Sequence, residues 1–297
     1  MRLGMTAPSS PFLDFLRRAL GAQDCILQGI LLMNDRMKSQ VARWRWWIHL
    51  IVIGGYFFPG TIFALIQIRH HPALTGTPAG LLTACGIELS AFGLLFALGW
   101  LASRVRLDDL YFRWRPGWWV VPLGAGYSLV LRLAVAFTLI AVVVLLGITG
   151  LVPAEDIREY LSANRPEFER VVNVSSLQND PVYFWLTITV VSFVLAGLRE
   201  ELWRVATLAG MRHLWPRVFD STYGQYVAMA IIALAFGAAH LPLGIPAAAA
   251  AGFIGFLLGS LIILHRSIWP AVFAHGFFDA ATFALLPFAL RTLQQLH

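Results

Sequence analysis

Long apolar runs separated by short polar or Arg-rich connectors set the pattern of this chain. A helix needs about 20 mostly apolar residues to cross the hydrocarbon of a bilayer. Runs of that kind occupy residues 47–68, 79–102, 123–148, 181–198, 226–241, 245–264 and 268–290. They predict about seven transmembrane helices, and hence an all-α fold, a polytopic membrane helix bundle. Residues 11–34 differ. Asp14, Arg17, Arg18 and Asp24 recur there at helix-like intervals, which predicts an N-terminal amphipathic helix on the membrane surface and not an eighth span.

Composition agrees with the pattern. Mean hydropathy is +0.70 and only 13% of residues are charged, against about 25% in soluble domains. That balance excludes a soluble globular enzyme, a disordered chain and a nucleic-acid-binding module. The net charge of +6 then points to anionic lipid and cytoplasm. Basic residues gather in three regions: Arg2 to Arg45; Arg104, Arg106, Arg113 and Arg115; and Arg199, Arg204, Arg212 and Arg217. Their alternation with the predicted spans puts these regions, and the N-terminus, on the cytoplasmic side. The acid-rich stretch 152–180 fits the outer side. The expected setting is an integral membrane protein of a bacterial cytoplasmic membrane, in contact with lipid. Two cysteines, Cys25 and Cys85, provide neither a disulfide scaffold nor a thiolate metal site. Oligomeric state is left open; Gly255 to Gly259 reads as a helix-packing motif used within the chain.

Chemistry concentrates in the last four predicted spans. A charge in the bilayer centre costs roughly 2.5 kcal/mol or more, so each ionisable group there pairs, lines water or reacts. Arg204 stands i,i+4 from Glu200 and i,i+3 from Glu201, within reach of either carboxylate on a helix. His240 follows small residues in Phe236-Gly237-Ala238-Ala239-His240, a place for close helix approach or for a helix-end carbonyl bond. His275 and Asp279 stand i,i+4 on an otherwise apolar helix. Taken alone, the Arg199 to Arg204 cluster reads first as ion pairing and His240 as a helix-end bond, whereas two ionisable groups in one span, His275 and Asp279, read less readily as packing. Together, two Glu, two His and an Asp are the inventory of a water-activating hydrolytic site. Zinc is a competing use of such residues, but no His-Glu-x-x-His helix supports it. A proton path through a transporter is a third.

These residues resemble the CPBP family of intramembrane proteases, which includes the type II CAAX prenyl endopeptidases and the bacterial Abi proteins. The family's motifs are Glu-Glu-x-x-x-Arg, Phe-x-x-x-His and His-x-x-x-Asn/Asp, in that order. Here they are Glu200-Glu201-Leu202-Trp203-Arg204, Phe236 to His240, and His275-Gly276-Phe277-Phe278-Asp279. The resemblance covers about residues 181–290. It divides the chain into an interfacial segment 1–43, variable spans and an outer loop over 44–180, a catalytic membrane domain 181–290 and a tail 291–297. One spacing departs from the pattern: two residues, not three, separate Glu201 from Arg204. The base is therefore Glu200 or Glu201, with Glu200 preferred for its i,i+4 relation to Arg204.

The resemblance implies an intramembrane endopeptidase that hydrolyses a peptide bond in a membrane-tethered peptide or lipidated protein. Glu200 or Glu201 and His240 would activate water, His275 and Asp279 would stabilise the oxyanion, and Arg204 and Phe236 would support them. No cofactor is required; a zinc ion, if present, would fall to Glu200, His240 and His275. The alternatives are a non-catalytic scaffold or bacteriocin-immunity-type protein of the same fold, favoured by the altered Glu-Glu spacing, and a transporter.

Overall fold

A computed structural model describes residues 43–66, 76–150, 171–295 and the isolated positions 153, 156 and 159. The chain divides into two compact units, Met1–Arg45 and Trp46–His297. Of the first, residues 43–45 are described and are helical. The amphipathic helix expected over 11–34 and most of the expected outer loop lie outside the described residues. The second unit is described below.

No strand occurs among its described residues. Its helices are α1 (Phe57–Ile66), α2 (Pro78–Ser103), α3 (Val120–Thr149), α4 (Val174–Asn179), α5 (Pro181–Leu214), α6 (Thr222–Ala239), α7 (Ile245–His265) and α8 (Trp269–Gln295). Six are long and apolar enough to cross a membrane: α2, α3 with its lead-in from Gly117, α5, α6, α7 and α8 as far as Ala289. Several begin on sequence signals. Thr77 Oγ1 accepts from Gly80 N at 3.2 Å ahead of Pro78. Asp180 Oδ1 accepts from Val182 N and Tyr183 N ahead of Pro181. Ser221 Oγ accepts from Gly224 N at 3.0 Å. Such caps satisfy first-turn N–H groups that have no partner within the helix.

Two expectations change. The first apolar run is not one continuous span. After the π-turn Leu50–Gly54 it is interrupted at Gly55 and Tyr56 before α1 begins, so a count of seven is not established among the described residues. The stretch nevertheless runs between the two ends of the bundle. Trp46 stacks on His213 at 3.9 Å at one end, and Thr61 Oγ1 donates to Ala239 O at the other. The fourth run does not stop at residue 198. α5 continues to Leu214, so Arg199, Glu200, Glu201 and Arg204 lie inside a 34-residue helix and not in a loop. Their burial explains the difference: protein surrounds the charges that a hydropathy pattern assigns to water.

One end of the bundle gathers the Arg-rich connectors. The loop after α2 hangs on the polypeptide before α8, with Ile268 N donating to Tyr111 O and Ser267 Oγ to Arg113 O. Tyr111 OH donates to Gln225 Oε1 at 2.7 Å, and Arg212 Nη1 reaches Tyr111 OH at 3.5 Å. The exposed Asp108 carboxyl is held below the usual carboxylate range by its hydrogen bond from Arg113. The opposite end holds the start of α2, where Ser176 Oγ donates to Gly76 O. Between the ends, α3 turns a continuous apolar face outward: Leu133, Phe137, Ile140 and Ile148 are all exposed. A face of this size belongs in lipid.

Candidate active site

The site forms where α5 meets α8. The middle of α5, Thr187–Glu200, is π-helical, and the α-helical part resumes at Glu201. The helical period therefore changes between the two glutamates. Such wide turns are rare and cluster at functional sites. Gly197 lets α8 come close. A Cβ there would stand 2.9 Å from Val272 O and 3.6 Å from Gly276 N. That approach carries His275 to both carboxylates.

Glu201 is fully buried. Its Oε1 accepts from His275 Nδ1 at 3.0 Å, and its Oε2 pairs with Arg204 Nη1. Because a carboxylate only accepts, Nδ1 carries the hydrogen and the ring is oriented by Glu201. His275 Nε2 then faces two further carboxylates: Glu200 Oε2 at 3.8 Å and Asp279 Oδ2 at 3.7 Å. Those gaps exceed direct hydrogen bonds and match the reach of a bridging water. Glu200 Oε1 is held by Arg199 Nη2 at 3.0 Å.

Here the structure corrects the expected pairing. Arg204 pairs with Glu201 at i,i+3, and Glu200 pairs with its neighbour Arg199. Arg204 is fully buried, and its Nε and Nη2 have no protein hydrogen-bond partner among the described residues. Its guanidinium carbon sits 4.7 Å from the Phe236 ring centroid, a cation–π contact that offsets part of the lost hydration. The glycines of α7 make the room. A Cβ on Gly255 would lie 3.5 Å from Arg204 Nη2, and one on Gly259 would lie 3.4 Å from Arg204 Cδ. The small-residue motif of residues 255–259 thus packs within the chain, as expected, around an arginine.

The remaining expected residues also gather. Phe236 is buried, with its ring 4.5 Å from that of His240. His240 Nδ1 lies 2.8 Å from Phe236 O, so it carries the hydrogen and Nε2 stays outside that bond. His240, Glu200 and His275 all act electrostatically on Asp279, as does Arg132 of α3. Arg132 is fixed by Phe278 O and Thr282 Oγ1 and lies over the Phe278 ring at 4.4 Å. Among the described residues, no group of three or more His, Cys, Asp or Glu side chains is arranged to hold a metal ion. Glu200, His240 and His275, to which a zinc ion would fall, form no such group, and no step is routed through a metal below.

Three participants were given no role from the sequence, Arg199 having been named there only for its charge. Arg199 holds Glu200 and also pairs with Glu88 Oε1 of α2 at 3.4 Å. Tyr56 OH donates to Glu88 Oε2 at 2.7 Å. Glu88 carries a signal that could have found it, being the only charged residue in an otherwise apolar run. Tyr56 carries none, because its role depends on the break beside it.

Residues 181–281 match the family described as Rce1-like, type II CAAX prenyl endopeptidase. The match spans α5, α6 and α7 and much of α8, and it supports a CPBP-family intramembrane protease of the CAAX type. No curated protein and no solved structure matches the chain.

Proposed function

We propose, with the Rce1-like segment as premise, that this integral membrane protein is a glutamate-based endopeptidase that cleaves a membrane-tethered or lipidated peptide. One observation carries the choice of base: both oxygens of Glu201 are engaged, whereas Glu200 Oε2 has only the 3.8 Å gap to His275 Nε2 before it. Glu200 takes a proton from a water held in that gap, with His240 beside it. The resulting hydroxide attacks the scissile carbonyl carbon, and the carbon–oxygen π electrons move onto oxygen. His275, as the imidazolium with one hydrogen on Nδ1 toward Glu201 and one on Nε2, donates from Nε2 to that oxyanion, with Asp279 steadying the ring from the next turn. As the intermediate collapses, the C–N bond breaks and the proton held by Glu200 passes to the departing amine. Arg204 keeps Glu201 ionised in the core, which makes it a positioning residue. The Arg-rich end, with Arg104, Arg106, Arg113 and Arg115, faces the cytoplasm in this reading.

The test uses proteoliposomes and a fluorogenic peptide anchored by a farnesyl thioether. Glu200→Gln, His240→Ala and His275→Ala should each lower cleavage by about 10²- to 10⁴-fold while the protein still elutes as a folded species. Cleavage that survives all three excludes this glutamate–histidine mechanism, and a folded wild type that releases no product replaces it with the scaffold reading, which the shortened Glu-Glu-x-x-Arg spacing favours.

A further inference from the structure

Hydrolysis inside a bilayer needs a supply of water, and three independent observations converge on where it enters. The first is Glu88. It is the eleventh residue of the 26-residue α2, about 15 Å along the axis from Pro78 and about 22 Å from Ser103. That is close to mid-membrane, yet its side chain is 54% exposed. Its lipid-facing neighbours are apolar, with Ile87 and Leu94 exposed at 66% and 62%, while Cys85 and Phe92 form the packed stripe. Glu88 thus stands on the seam between the two faces. A carboxylate exposed at that depth faces water and not hydrocarbon.

The second observation is the helix break. The first apolar stretch loses its regular helix at Gly55 and Tyr56, and Tyr56 stands beside this seam, 5.2 Å from the Phe92 ring. Irregular backbone at membrane depth survives where it is buried in protein or lines an aqueous cavity. The third is Arg199. Its guanidinium lies between Glu88 and Glu200, over the rings of Phe57 and Tyr56, and its buried Nε has no protein partner among the described residues. A buried N–H in that state donates to water.

We propose that Tyr56, Glu88 and Arg199 line the aqueous route by which hydrolytic water reaches Glu200. The proposal rests on the reading that Glu200 activates water. The polar chain is continuous: Tyr56 OH to Glu88, Glu88 to Arg199, Arg199 to Glu200. Beyond Glu200 stand His275 and Asp279, so the route ends in the gap assigned to the attacking water.

The experiment needs no turnover, so its outcome is separate from that of the peptidase test. Single cysteines are placed in a Cys25→Ser, Cys85→Ala background, reconstituted in liposomes, and labelled with a charged, water-soluble methanethiosulfonate. Thiols react as thiolates and hence only where water reaches them, so Glu88→Cys should label at least about tenfold faster than Ile87→Cys or Leu94→Cys. Tyr56→Cys should behave like Glu88→Cys, and it decides the matter if the latter does not fold. Glu200→Cys should also label, and adding Glu88→Trp to fill the seam should slow that labelling at least about tenfold. Rates at both seam positions as slow as at Ile87→Cys would overturn the proposal, as would Glu200→Cys labelling that is indifferent to Glu88→Trp.

Discussion

α3 and the second half of α5 are both helices of one bundle, yet they solve opposite problems. α3 buries four of its 30 residues, whereas Glu201–Leu214 buries 11 of 14. α3 is apolar apart from Arg132 and a few hydroxyls, packs one side against α8 and turns the rest outward. The end of α5 carries a glutamate and an arginine that are fully buried, enclosed by the π-turn Leu50–Gly54, α6 and α7, with His275 of α8 reaching in. The difference shows where hydropathy is informative. A lipid-facing helix must be apolar, so its pattern reads directly. A helix surrounded by protein need satisfy only its neighbours, and its charges then look like a loop. The Rce1-like match, residues 181–281, takes in the end of α5 and leaves α3 out.

The comparison can be broken most severely at the buried pair. Arg204→Leu leaves Glu201 uncompensated in the core and should cost about 3–5 kcal/mol, read as a large fall in Tm in detergent. Arg204→Leu combined with Glu201→Leu should recover most of that loss, because the desolvated charge goes with its partner. A double variant as unstable as the single would show that the pair holds the fold by packing. Next comes the reverse operation on α3. Phe137 is 75% exposed, and Phe137→Arg should cost about 2.5–3.5 kcal/mol if that face meets hydrocarbon. An unchanged Tm there would place Phe137 in water.

Smaller effects sharpen the contrast. Gly197→Val forces a side chain against Val272 O and should cost about 1–3 kcal/mol. It should also lower kcat by moving His275 from the glutamates, so cleavage at wild-type kcat would separate helix approach from chemistry. Phe137→Leu keeps the lipid face apolar and should stay within about 0.5 kcal/mol of the wild type. Asp108→Asn removes an exposed pair with Arg113, and its Tm should not move measurably at physiological salt.

The membrane setting, the all-helical class and most spans were legible in the sequence, which also nominated the residues of the candidate site. Each follows from local rules: apolar length for spans, capping residues for helix starts, and the cost of charge in hydrocarbon for Glu200, Glu201, His240, His275 and Asp279. The fold alone settled which carboxylate Arg204 serves, because i,i+3 and i,i+4 partners are equally near on a regular helix and the π-to-α change between Glu200 and Glu201 selects one. It also decided that α5 runs on through its charges, and that the first span breaks at Gly55 and Tyr56 beside Glu88. Those outcomes depend on what surrounds each residue from other helices. A buried charge is stable only with its partners and solvent in place, and partners 32 or 74 positions away along the chain leave no local mark in the pattern.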